Sequence, residues 1–126
     1  MKELTKAEEQ VMHIFWKIGK GFVKDVIEQF PEPKPIYNSV STIVRILEKK
    51  GFVGYTAYGK THEYYPLIKK SDYQKFFLKN FVSGYFGGSF KRMVSFFAQE
   101  EELDVKELEE LVNYVKKNST PEDHDQ

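Results

Sequence analysis

The sequence predicts a mostly α-helical chain with a small β-hairpin wing: a winged helix-turn-helix followed by a C-terminal helical dimerisation region. Three observations carry this. The run YNSVSTIVRILEKKG from Tyr37 has the spacing of a short amphipathic helix. FVGYTAYGKT follows it without a linker and reads as a hairpin with glycine and lysine at its tip. Beyond Pro66 come three short, strongly apolar helical segments, which a chain of 126 residues has difficulty burying alone.

The elements follow in order. Thr5 with Glu8 three residues on is a capping box, and the first helix runs to about Ile18 with Val11, Ile14, Phe15 and Ile18 on one stripe and Trp16 flanking it. Gly19-Lys20-Gly21 breaks it. Val23 to Phe30 reads as a second helix with Val26, Ile27 and Phe30 inward, and Pro31, Pro33 and Pro35 forbid its continuation. In the third helix Val40, Ile43, Val44 and Leu47 fall within roughly 60° of one direction. Asn38, Thr42, Arg45 and Lys49 occupy the opposite side, with Ser39 and Ile46 at one edge and Ser41 and Glu48 at the other. Asn38 or Ser39 is the expected N-cap. Lys49 and Lys50 complement the dipole of the last turn, and Gly51 ends the helix. Phe52 to Ala57 forms the outgoing strand, Tyr58-Gly59-Lys60-Thr61 the turn, and His62 to Leu67 the return.

Further on, Ser71 is the expected cap of a helix bearing Tyr73, Phe76, Phe77, Phe81 and Val82, which Gly84 and then Gly87-Gly88 weaken or end. Phe90 to Ala98 and Leu103 to Val115 form two more helices. Packing these against a second copy would bury them in a symmetric dimer. The expected dimer contacts are Phe76, Phe77 and Phe81, then Phe90, Val94 and Phe97, then Leu108, Leu111 and Val112. The alternative is that they fold back on the first helix. The expected organisation is a DNA-binding domain over 1–70, a dimerisation domain over 71–117 and a disordered polar tail over 118–126.

Composition excludes several classes. The chain has no cysteine, hence no disulfide, zinc–thiolate site or thiol nucleophile, in keeping with a reducing cytoplasm. No apolar run approaches the ~18 residues of a membrane span, and the N-terminus is too polar for a signal peptide. His13, His62 and His124 are far apart in sequence and lack metal-ligand spacing, so no cofactor, metal or catalysis is expected. The formal net charge is zero but unevenly spread. Residues 31–70 hold seven basic and three acidic side chains, net +4, whereas residues 100–126 hold three basic and ten acidic, net −7.

A local basic surface suits double-stranded DNA. The third helix carries short Ser, Thr and Asn side chains outward, which let a helix sit deep in a major groove, and Asn and Arg can pair bidentately with base edges. Asn38, Thr42 and Arg45 are thus the candidate base readers, flanked by Ser39 and Ser41. Lys49 and the wing-tip Lys60 are the candidate phosphate contacts.

The chain resembles the BlaI/MecI/CopY family of bacterial transcriptional repressors over nearly its full length. The segments that carry this are Leu4 to Met12 (LTKAEEQVM), Val40 to Gly51 with Arg45 and Lys49-Lys50-Gly51, Tyr64-Tyr65-Pro66-Leu67 after the wing, and Phe86-Gly87-Gly88-Ser89-Phe90. The resemblance implies a cytoplasmic homodimer on a palindromic operator, relieved by a membrane sensor peptidase through cleavage in the C-terminal part. That cleavage region corresponds to the helix holding Phe96 and Phe97, which stand where the β-lactam branch has an Asn-Phe pair. The copper-responsive branch carries a C-terminal cysteine motif that is missing here. Many members also have arginine where this chain has Ile46. Two other readings stay open: release from DNA by a small ligand among Phe76, Phe77, Tyr85 and Phe86, and a winged-helix module that binds protein instead of DNA.

Overall fold

In the computed structural model, which describes residues 1–100 and 104–118, Thr5 starts the architecture. Its hydroxyl accepts from the Glu8 amide at 3.2 Å while the Glu8 carboxylate accepts from the Thr5 amide at 3.1 Å, closing the capping box at the head of α1 (Lys6–Ile18). Then follow α2 (Val23–Glu28), α3 (Tyr37–Lys49), the strands β1 (Val53–Tyr58) and β2 (Thr61–Pro66), and the helices α4 (Lys70–Phe86), α5 (Phe90–Glu100) and α6 (Val105–Asn118). The strands pair antiparallel, from Val53 opposite Pro66 to Tyr58 opposite Thr61. This is the mostly helical, winged arrangement that the sequence predicts.

Several boundaries differ from expectation. Helix α3 begins at Tyr37 after an extended Ile36, with no side-chain cap, so Asn38 and Ser39 lie inside its first turn. Pro35 bars α-helical backbone at Lys34 before it, and Ile36, extended at ψ 151°, is the residue from which the helix starts at Tyr37. Helix α4 starts at Lys70, with Lys69 O accepting from the amides of Asp72 and Tyr73, so Ser71 is not its cap. It also runs through Gly84, where a single glycine lowers helix propensity without breaking the hydrogen-bond ladder. Leu103 and residues 119–126, most of the expected polar tail, lie outside the described residues.

The chain divides into two units, 1–78 and 79–126. The core of the first is built from α1, α2, α3 and the base of the hairpin, with Val11, Phe15, Val26, Val44, Leu47 and Phe52 fully buried. Its border falls within α4 because that helix opens inside the first core. Tyr73 is buried there, its hydroxyl accepting from the Leu4 amide at 3.0 Å and donating to Glu9 at 3.1 Å. Phe76, one of the expected dimer contacts, packs against the same core. The Trp16 indole donates to Ile68 O at 2.8 Å, fixing the segment that leaves the hairpin.

In the second unit, Ser89 Oγ accepts from the Arg92 amide at the head of α5, and Asp104 Oδ1 accepts from the Glu107 amide at the head of α6. Neither α5 nor α6 holds a buried residue. Phe97, Leu111 and Val112 stand 41, 52 and 50% exposed in the single chain.

One ion pair ties the first unit together. Lys50, at the C-terminal end of α3, donates to Glu8 Oε1 at 2.6 Å, and the Glu8 side chain is only 8% exposed. Burial alone would raise the Glu8 pKa; the Lys50 ammonium and the Thr5 amide outweigh it and hold the carboxyl below its ordinary value of 4.5. Because the folded carboxyl is the stronger acid, its contribution is complete above pH 4.5 and is lost as pH falls below that value. Lys50→Met, which leaves the buried carboxylate without its cation, should destabilise the fold by on the order of 3 kcal/mol in denaturant titration at neutral pH. Adding Glu8→Gln should recover part of that loss and flatten the acid limb of the stability curve. An unchanged midpoint in Lys50→Met would remove the pair from its structural role.

Candidate nucleic-acid interface

The amphipathic division of α3 fixes what the site presents. Val40, Val44 and Leu47 are buried against the core, which turns Asn38, Thr42, Arg45 and Lys49 to solvent. These exposed positions form two flanks. Asn38, Ser41 and Arg45, with Tyr37 beside them, face the hairpin across a groove of about 550 Å³. Ser39, Thr42 and Lys49 are not part of that groove's wall; Ser39 and Thr42 lie toward the Ile46 edge of the helix. The Thr42 hydroxyl donates to Asn38 O at 2.8 Å, leaving its oxygen lone pairs as acceptors toward solvent.

The opposite wall of the groove is the wing. Lys60, Thr61, His62 and Tyr64 come from the turn and β2, and Phe22 and Lys24 close the end from the head of α2. Register explains the selection: side chains alternate across a strand, so His62 and Tyr64 share one face with Tyr55, while Glu63 points to the other. Glu63 there meets Lys20 at 3.9 Å. The groove lining thus contains Lys24, Arg45 and Lys60 and no carboxylate. The aromatic wall is ordered by stacking, the rings of Tyr55 and His62 lying 4.1 Å apart and 7° from parallel. Burial, and after it the charge of Glu48, push the Tyr64 pKa upward against the pull of Arg45, so its hydroxyl stays protonated.

Two backbone features hold the wing in place. A two-residue loop, Gly59-Lys60, joins the strands, and Gly59 has φ 64°, a value that glycine adopts without a Cβ clash. The Thr61 hydroxyl donates to Tyr58 O at 2.8 Å across this loop and leaves Lys60 exposed at the tip. At the base, the Gly21 amide donates to Tyr64 O at 2.9 Å and Tyr64 N donates back to Gly21 O at 2.8 Å, a one-residue antiparallel bridge that ties the hairpin to the α1–α2 connection. A Cβ on Gly21 would meet Ile18 Cδ1 at 2.9 Å and Asp25 Cβ at 3.1 Å. The Asp25 carboxylate accepts from the Phe22 amide at 2.8 Å, so it is held by the head of α2.

Four of the seven residues proposed from sequence as DNA contacts (Asn38, Ser41, Arg45 and Lys60) meet in this groove. Sequence reasoning missed Lys24, Tyr37 and His62. Lys24 and Tyr37 carry no local signal of convergence, and His62 was legible only as a strand residue; its face follows from the hairpin register. Among the described residues no group of His, Asp and Glu could hold a metal ion, and no helix is long and apolar enough to cross a membrane. In the second unit Tyr85, Phe86 and Phe96 line an open cleft with Arg92.

Gly21→Ala should destabilise the fold by about 1–3 kcal/mol through overpacking against Ile18 and Asp25. Thermal melts of the two proteins check this, and an unshifted melting temperature would mean that the α1–α2 connection yields freely.

The family described as penicillinase repressor matches residues 4–117. The methicillin resistance regulatory protein MecI of Staphylococcus aureus strain N315 is 32% identical over 116 residues, covering 91% of this chain and 94% of the relative. MecI of Mammaliicoccus sciuri is 32% identical over 120 residues, with the same coverage. A penicillinase repressor of Bacillus licheniformis is 26% identical over 121 residues, covering 92% of this chain and 91% of its own.

Proposed function

This chain belongs to the penicillinase repressor family, a family of transcriptional repressors and not of enzymes, and we propose that it represses by binding a palindromic DNA operator as a homodimer. The observation that carries the proposal is the groove in which α3 and the wing bring Lys24, Arg45 and Lys60 together without a carboxylate. In this reading α3 enters the major groove, with Asn38, Thr42 and Arg45 nearest base edges and Ser39 and Ser41 flanking them. The phosphate backbone runs between α3 and the wing, meeting Lys60, and Lys49 meets phosphate at the end of the helix.

The dimer accounts for the second unit. Helices α5 and α6 leave Val94, Phe97, Leu111 and Val112 exposed in one chain, and a second copy is the cover that symmetry supplies. Phe81, Phe90 and Leu108 would join that interface, together with Phe77, which is also exposed. Two linked reading heads then bind a two-fold site far more tightly than one. Relief would follow from a membrane sensor peptidase and cleavage in the region of Phe96 and Phe97, within α5, which would separate α6 from the preceding helices.

The test is binding of the full chain to the DNA upstream of its own gene, beside a scrambled duplex, at two salt concentrations. Tight binding to one two-fold site, lost on scrambling and weakening steeply with salt, is expected. Equal weak binding to both duplexes would overturn the operator reading and favour a protein-binding module. Arg45→Ala should lose about 1–3 kcal/mol of discrimination between sites, whereas Lys60→Ala should weaken binding to all duplexes alike and reduce the salt slope by about one. Leu111→Glu, which places a charge in the apolar face of α6, should sediment as a monomer and bind the operator roughly a hundredfold less tightly. A persistent dimer with unchanged affinity would remove α6 from the interface.

A further inference from the structure

We propose that His62 is a proton-dependent phosphate contact, so that the protein takes up a proton at this ring as it closes on DNA. The inference rests on the operator reading above and adds a residue and a regulation to the same site.

Placement comes first. His62 lies on the wing wall of the groove, half-buried, on the face that looks toward α3. It stacks on Tyr55 at 4.1 Å, which fixes the plane of the ring. Its nitrogens form no hydrogen bond among the described residues, and none of them is a buried atom lacking a partner, so they are open to solvent. A neutral imidazole donates one N–H; the protonated ring donates two and carries a charge. Only the second form adds a cation to a phosphate already facing Arg45 and Lys60.

The surroundings set the sign. The groups that face His62 are Lys24 from α2, Tyr37 and Arg45 from α3, and Tyr55, Lys60 and Tyr64 from the hairpin. Asp25 is occupied by the Phe22 amide, Glu63 lies on the opposite strand face beside Lys20, and Glu48 acts on Tyr64. In the free protein the groove lining therefore places cations and no carboxylate around the ring. A DNA phosphate supplies the missing anion, and the Tyr55 ring face accepts an imidazolium as readily as an imidazole. Binding and protonation thus reinforce each other, and histidine is the side chain whose charge changes between about pH 5 and 8.

Fluorescence anisotropy of the full chain on its own upstream duplex, at fixed ionic strength near pH 6 and near pH 8, tests this. Wild type should bind roughly three- to tenfold more tightly near pH 6. His62→Gln should lose that difference and bind as wild type does near pH 8. His62→Lys, with a permanent cation, should bind tightly at both. His13→Gln, on the exposed face of α1 beside Trp16, should keep the wild-type pH dependence. A flat wild-type profile, or a pH dependence that survives in His62→Gln, would overturn the proposal while leaving the operator reading intact. No preference for the upstream duplex over a scrambled one at either pH would overturn both.

Discussion

The Glu8 carboxylate is the constraint on which the first unit depends. One oxygen accepts from the Thr5 amide and from the Lys50 ammonium, so the head of α1 and the end of α3 meet on a single buried anion. The first contact makes Glu8 part of a local start signal; the second makes it long-range. A carboxylate buried to this degree is tolerable only because both partners are present. The consequence for function is geometric. α3 is held at its C-terminal end by the ion pair and along its length by Val40, Val44 and Leu47, so its solvent face has little freedom to rotate.

The hairpin is held by different means. Its base is stitched to Gly21 by two backbone hydrogen bonds and packed on Phe15 through Tyr64, while its tip projects as a two-residue loop. The two walls of the groove thus have separate anchors, one ionic and apolar, the other through backbone pairing. Cationic groups contributed by α2, α3 and the turn face the same space, although they lie more than thirty residues apart from Lys24 to Lys60. Charge asymmetry along the chain is a poor guide to this convergence: the formal total is zero, and the acidic residues crowd beyond residue 100, in the other unit.

Much of the fold was legible because its signals are local. The Thr5–Glu8 capping box, the apolar stripe of α3 and the glycine-lysine turn each specify an element from a few neighbouring residues, and each stands in the structure. Errors arose where a local rule met a competing one. Asn38 and Ser39 are good capping residues, yet the N-cap is Ile36, two residues before Asn38 and three before Ser39. Gly84 and then Gly87-Gly88 read as weakening or ending α4, which runs through the first and stops at Phe86, just before the second. The site was half legible. Helical periodicity put Asn38, Ser41 and Arg45 on an outward face, and turn chemistry put Lys60 at a tip. Lys24, Tyr37 and His62 join them only through tertiary placement, for which the sequence has no local pattern. Lys50 shows the reverse: it reads as one more basic residue beside Lys49, but its partner Glu8 lies 42 positions away.

The division of the chain inside α4 bears on where the first unit ends. A fragment ending where the hairpin ends, near residue 70, would lack Tyr73 and Phe76. It would strand the Leu4 amide, uncover one side of Phe52 and release the strap that ends at Ile68 from the helix that follows it. The compact unit built around α1–α3 and the hairpin accordingly extends to Leu78, two turns into α4. The same helix is then a shared structural member. The first turns of α4 are thus part of the core that also holds α3, through Tyr73 and Phe76.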